Sequence, residues 1–539
     1  MMNAVSKKYP HINFEDGIWK GPTKSYPEEN LQIGKRLLRS LKEAPNFVGQ
    51  IDSATGEEDS FAAMMDRSIR CALWLRKRGI GPGDTIAVAA NNHQDTVIPI
   101  LASLYIGCVL NPYPFDWLAN GLISHFMNMI EPKIIFADED LAQMMHEHND
   151  ISNEKVEIIV FGSLPGLASF EEILLEQKPS EVENFEWINI RFPAETAMLM
   201  FTSGTTGYPK VFQYSYRHLE RDLNWLPREE LHGKVGTWCI ETAWTVIIIT
   251  VLSSIINRST YVIHKFTDIP ELCRVIEKYK IDWSMLRVEH INILSRLPNP
   301  EDFDLSSLKF IRYCGSYIRP EIEKNLHAIF PRTWLSQSYG LTEVGAVTYT
   351  MRDHKCPACG IPAENTEIKL INSKNEIIMC PNQSGELCVR TPCLSIVYYK
   401  NKTASEITLD SDSWHHTGDL VYYNEDGEFF IVDRIKEIIR FRFSDVPAGV
   451  VENCILKHPG VLEVAVVSKL HDEDVEQPMA FIVKKPHVQV TEKEIEGWVE
   501  QQLPDHMRLR GGVKFIDTMV YNNSGKIRKG LLRHLANDH

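Results

Sequence analysis

Short, unbroken apolar runs alternate with helical patterns through the first 320 residues, and this rhythm constrains the fold more than any other feature. IAVAA, PKIIFAD and VEIIVFGS each have strand length, and helical stretches separate them. Residues 61–78 (FAAMMDRSIRCALWLRKR) read as an amphipathic helix with Met65, Ile69, Ala72 and Leu73 on one stripe. The rhythm returns in STYVIH, IPELCRVIEKYK, IDWSML and LKFIRYCG. Strands without polar alternation are buried on both faces, so the expectation is mostly parallel sheet covered by helices. From about residue 365 the segments become shorter and more β-like: NTEIKLI, GELCVRT and GEFFIVD. Another compact α/β unit begins near Arg434. The expected architecture is therefore α/β, with a large N-terminal domain of helix-flanked, mostly parallel sheets (1–433) that includes a small β-rich subdomain. A smaller C-terminal α/β domain (434–539) follows, with IVDRIKE at the junction.

Between two of these runs lies FTSGTTGYPK, residues 201–210. Gly204 and Gly207 allow the backbone to wrap an anion, Ser203, Thr205 and Thr206 add hydroxyl donors, and Lys210 supplies a point charge. The spacing is not that of the nucleotide-triphosphatase P-loop. Taken alone, the stretch also suits a solvated Ser/Thr/Gly loop. Four further segments follow it in order: SYGLTE (338–343), HHTGDL (415–420), IVDRIKE (431–437) and NNSGKIRK (522–529).

Composition narrows the partners. The net charge is −15 with no Lys/Arg stripe, which argues against a nucleic-acid partner. Residues 243–256 form the longest apolar stretch. At 14 residues it is short for a membrane span, so a buried helix is expected and no integral membrane segment. Eleven cysteines show no disulfide framework, and LANDH is not a peroxisomal SKL-like ending, so a cytoplasmic monomer is expected. CPAC (356–359) lacks a second ligand pair for zinc and reads as two free thiols in a loop.

With its five ordered motifs the chain resembles the adenylate-forming superfamily of acyl-CoA synthetases, 4-coumarate–CoA ligases and insect luciferases, and is most similar in style to insect luciferase-like acyl-CoA ligases. The resemblance implies ATP-dependent activation of a carboxylic acid, medium-chain or aryl, to an acyl-adenylate, with Mg²⁺ as cofactor and CoA as the accepting thiol. It implies that Thr202, Ser203, Gly204, Thr205, Thr206, Gly207 and Lys210 hold phosphates, and that Gly315, Ser338, Tyr339 and Gly340 surround the adenine. Thr342 would bond the α-phosphate, Glu343 would hold Mg²⁺, and Asp419 with Arg434 would take the ribose. Lys526, on a mobile lid, would bridge carboxylate and α-phosphate. Glu241, Trp244, Ser316 and Tyr317 would line the acid pocket. The family pattern is broken at Val211-Phe212, Glu241-Thr242, 314–317 (Cys-Gly-Ser-Tyr) and 440–443 (Arg-Phe-Arg-Phe). Phe443 stands where a glycine is usual, which predicts crowding of the thiol route. An adenylate-only or non-catalytic relative is then the alternative to a ligase. A luciferase-type oxygenase is a third reading, against which Glu241-Thr242 weighs.

Overall fold

The computed structural model describes the chain except residues 1–3, 7, 26, 115–122, 152–155, 203–209, 225–230, 266–267, 316–317, 319, 392–396, 443, 522–526 and 539. Two of its four sheets are built on parallel cores, as the continuous apolar runs predict. One has seven strands, with Thr85–Ala89 between Val109–Pro112 and Ile134–Asp138. Its last strand, Lys210–Ser215, is antiparallel to Thr196–Thr202. The second has nine strands. Val235–Trp238, Thr260–Ile263, Trp283–Arg287, Phe310–Cys314 and Trp334–Leu341 run parallel at its centre, and short antiparallel strands close its edges.

The third sheet is antiparallel throughout. It joins the N-terminal strands Asn13–Glu15 and Ile18–Lys20 to Glu367–Ile371, Gly385–Arg390, His415–Tyr423 and Phe429–Arg434. The N-terminal strands had no sequence signal of their own. Their pleat is completed by a partner far along the chain. A 3₁₀ turn, Ile435–Glu437, leads into the fourth sheet, whose five strands all lie between residues 438 and 515.

Helix Phe61–Lys77 is capped by Ser60, whose hydroxyl accepts from the Ala63 amide. Its buried stripe runs through Met64, Ser68, Ile69, Cys71, Ala72 and Leu75, while Met65 and Leu73 are only partly buried. The stripe is wider than read from sequence because the helix is packed by neighbouring helices on more than one side. Residues 245–257 form the expected buried helix, Thr245–Asn257. Among the described residues no helix is long and apolar enough to cross a membrane.

Candidate active site

The site grows from strand register. His415–Tyr423 and Phe429–Arg434 are antiparallel neighbours, and Asp419 lies opposite Arg434. Their side chains meet, with Arg434 Nε 2.7 Å from Asp419 Oδ1. The other carboxylate oxygen accepts from the Tyr339 hydroxyl at 2.5 Å. Asp419 is 3% exposed, and these two partners help to hold its charge. Burial pushes the Tyr339 hydroxyl pKa well up, and the Asp419 charge adds to it, so the phenol keeps its proton and donates. A carboxylate accepts at about four positions, a chemistry that suits hydroxyls of a ligand.

Tyr339 belongs to Trp334–Leu341, together with buried Ser338 and with Gly340. That strand ends in a turn carrying Thr342 and Glu343 before the chain returns as Gly345–Tyr349. Glu343 Oε1 accepts from the Tyr398 hydroxyl at 2.7 Å. The Lys210 ammonium lies 5.0 Å from the centre of the Tyr398 ring. Tyr398 is buried, and its segment is pinned to strand Lys210–Ser215. Gln213 donates to the Val397 carbonyl at 2.8 Å, and Tyr399 donates to the Val211 carbonyl at 2.7 Å. Val211 and Phe212 are fully buried members of that strand, which accounts for bulk where the family has glycine. His415 is close enough to feel the Glu343 charge, but burial dominates and holds its pKa below the usual value.

The structure thus connects Lys210, Glu343, Tyr339, Asp419 and Arg434, which come from four separate motifs. Thr202 ends the strand leading into residues 203–209. Ser203, Gly204, Thr205, Thr206, Gly207, Ser316, Tyr317, Phe443 and Lys526 lie outside the described residues.

Gly315 has φ +101°, a conformation costly for other residues, and no described residue fills the space a side chain would take. Beside it lies a cavity of about 20 Å³ lined by Ile240, Trp244, Val246, Arg287, Glu289 and Cys314. From Trp244, Tyr317 and the apolar stretch 243–256 the sequence suggests an apolar acid pocket. The described wall is instead partly ionic, with Arg287 Nε 3.2 Å from Glu289 and its guanidinium 5.8 Å from the Trp244 ring centre. Residues 240–244 are braced by Asn92, whose side-chain carbonyl accepts from the Thr242 amide and hydroxyl while its amide donates to the Ile240 carbonyl. The Glu241 carbonyl accepts from the Trp244 amide.

Family models match the chain at residues 38–399, as AMP-binding enzyme, and at residues 450–526, as AMP-binding enzyme C-terminal domain. The chain belongs to the AMP-binding enzyme family. It is 27% identical to luciferin 4-monooxygenase of Luciola mingrelica, over 97% of this chain and 98% of that protein. Its identity to 4-coumarate–CoA ligase 2 of Nicotiana tabacum is also 27%, over 95% and 96%. The luciferase-like enzyme from the nonluminescent mealworm Zophobas morio superposes with a TM-score of 0.71 at 27% identity, over 78% of this chain and 99% of that one. In this AMP-binding enzyme Tyr398, Asn92, Arg287 and Glu289 escaped the sequence reading. The aromatic pair in IVYYKN was the available signal for Tyr398, whereas the other three become neighbours of the site only through folding.

CPAC contains two free thiols, as expected. Cys359 donates to the Phe429 carbonyl at 3.2 Å, and Cys356 is hydrogen-bonded to Glu323.

Proposed function

We propose that this enzyme activates a small carboxylic acid with ATP and passes the acyl group to CoA. The observations supporting this most directly are the two sets Lys210–Tyr398–Glu343 and Tyr339–Asp419–Arg434, which offer a cation, a carboxylate with one oxygen unpaired among the described residues and a buried acceptor for hydroxyls. In the first step a carboxylate oxygen bonds to the α-phosphorus of ATP and pyrophosphate leaves. In the second, the thiol sulfur bonds to the acyl carbon and AMP leaves. Asp419 holds the ribose, Thr342 the α-phosphate and Lys210 with residues 202–207 the outgoing phosphates. Glu343 holds Mg²⁺, which supplies neutralisation of phosphate charge. The role proposed for Lys526 is to supply the ammonium that stabilises charge developing between carboxylate and phosphate.

Trp244 and the apolar helix Thr245–Asn257 beside the site favour a medium-chain or aryl acid over a very long chain. We propose a monomer in the cytoplasm. The departure at 440–443 favours a second reading, an enzyme that makes adenylate and transfers it poorly. Purified protein with ATP, Mg²⁺ and a panel of aryl and medium-chain acids tests both readings. Pyrophosphate release without CoA and faster AMP release with CoA is the expected result. Pyrophosphate release that CoA never accelerates selects the adenylate-only reading, and no release with any acid overturns both. Lys526→Ala should slow adenylation about 10²–10³-fold, or about 3–4 kcal/mol, with ATP binding retained. Exchange of pyrophosphate within a few-fold of wild type would remove Lys526 from this role.

A further inference from the structure

On the antiparallel sheet that carries Asp419, a second cluster brings three different donor types together. Glu386, Cys388 and His416 offer a carboxylate, a thiol and an imidazole whose donor atoms all lie within 4.8 Å of one another. Strand register explains the convergence. Glu386 and Cys388 stand two apart on strand Gly385–Arg390 and so share a face. Cys388 lies directly opposite His416 on strand His415–Tyr423. Between these pairs the register breaks, and Thr417, Gly418 and Asp419 face the single residue Leu387. Such bulges re-aim side chains and are frequent beside functional sites.

His416 Nδ1 lies 3.0 Å from Glu386 Oε2 and 3.7 Å from Cys388 Sγ. With metal–ligand bonds of about 2.0–2.3 Å, neighbouring donors around a tetrahedral ion stand roughly 3.4–3.6 Å apart, so these separations need little adjustment. The other ring nitrogen, Nε2, faces Asp410 Oδ2 at 3.6 Å, the kind of outer carboxylate that orients a metal-bound imidazole. Lys369 is the opposing charge. It lies opposite Cys388 on strand Glu367–Ile371, with its ammonium 3.8 Å from the same Asp410 oxygen. Arg390, against Trp414, is already paired with Glu367 at 2.6 Å. Glu386, Asp410 and a Cys388 thiolate, set against Lys369, leave two net negative charges, which a divalent ion neutralises. Cys388 is buried among Ile371 and Trp414, whereas Glu386 is half-buried and His416 exposed, so the cluster opens to solvent on one side.

We propose that Glu386, Cys388 and His416 bind a borderline-soft divalent ion of the zinc type, with water in the fourth position on the open side. Thiolate and imidazole together select such an ion over Mg²⁺, which prefers oxygen ligands. As the sulfur–metal and nitrogen–metal bonds form, the thiol proton and the proton that bonds Nδ1 to Glu386 pass to solvent. The ion's role is structural, because it crosslinks the two strands beside the bulge. Glu386 Oε1 already accepts from the Gly418 amide at 3.1 Å, so the crosslink also steadies the segment that presents Asp419. This site is separate from the Mg²⁺ site proposed at Glu343, and it stands whether or not the proposed reaction does.

Chelator-treated protein, titrated with Co²⁺ and then Zn²⁺ in excess Mg²⁺, tests this. A single equivalent of Co²⁺ should give a thiolate-to-cobalt charge-transfer absorption that Zn²⁺ abolishes by displacement. Zn²⁺ alone should raise the unfolding temperature, since it binds the folded chain. Cys388→Ser should lose the absorption. His416→Gln changes an exposed side chain, so the fold is retained, and it should weaken Zn²⁺ binding about ten-fold or more and lose the temperature rise. Cys380→Ser removes an exposed thiol outside the cluster and should change neither readout. A wild type without the absorption, an equal absorption in Cys388→Ser, or an unchanged Zn²⁺ affinity in His416→Gln overturns the proposal.

Discussion

Tyr398 makes two contacts with one side chain, and substitution separates them. Its hydroxyl orients Glu343 and its ring faces Lys210. Tyr398→Phe keeps the ring and removes a hydrogen bond to a charged group, an interaction of about 1.5–3 kcal/mol. The expected outcome is roughly a ten-fold or greater rise in the Mg²⁺ concentration for half-maximal pyrophosphate exchange, with KM for ATP nearly unchanged. An unaltered Mg²⁺ titration would count against this positioning. A second residue-scale test concerns His354, whose side chain is 5% exposed and lies 3.0 Å from buried Glu323. Burial opposes both charges, but hydrogen bonding and mutual attraction outweigh it, raising the His354 pKa and lowering that of Glu323. The pair therefore stabilises fully between the unfolded values of about 4.3 and 6.5. Its contribution is lost as pH rises through the raised His354 value, or falls through the lowered Glu323 value. His354→Gln should cost about 3 kcal/mol near pH 5.5, and the difference should shrink toward alkaline pH. A deficit that instead grows as pH rises would refute the ion pair.

Elements were legible wherever the hydrophobic period was strong. TIAVA, IIFAD and FIRYC are strands, and IPELCRVIEKY is a helix. A parallel strand buried on both faces needs no partner to be recognised, since its composition alone excludes solvent. Short edge strands lacked that signal because their stability is supplied by the neighbour. Close packing between strands was also hidden. Gly236 lies beside Trp283 in register, and a methyl group at Gly236 would fall 2.0 Å from the indole. Gly236→Ala should cost about 1–3 kcal/mol through overpacking, read as a lower denaturation midpoint. A stability equal to wild type would mean that the indole shifts freely.

At the scale of the whole molecule, the C-terminal sheet meets the large domain at the junction. Asp433 Oδ2 accepts from the Gly449 amide at 2.7 Å, in the first turn of helix Ala448–Ile455. A carboxylate at a helix N-terminus is worth about 0.3–1 kcal/mol. Asp433→Ala should therefore loosen this arrangement and slow adenylation by up to about five-fold, with overall stability little altered. An adenylation rate that does not change would show that other contacts hold the C-terminal unit. The linear order of residues determined the layered α/β plan and the five motifs, because apolar period and local turn chemistry are properties of neighbouring residues. Through the family resemblance that those motifs carry, it also pointed to Asp419, Arg434 and Glu343. Tertiary structure alone decided that Tyr398 joins Glu343 to Lys210, that Arg287 and Glu289 border the cavity beside Gly315, and that Glu386, Cys388 and His416 converge across two strands. Each of these depends on strand register and on contacts between segments far apart in the chain, and such contacts carry no local periodicity to read.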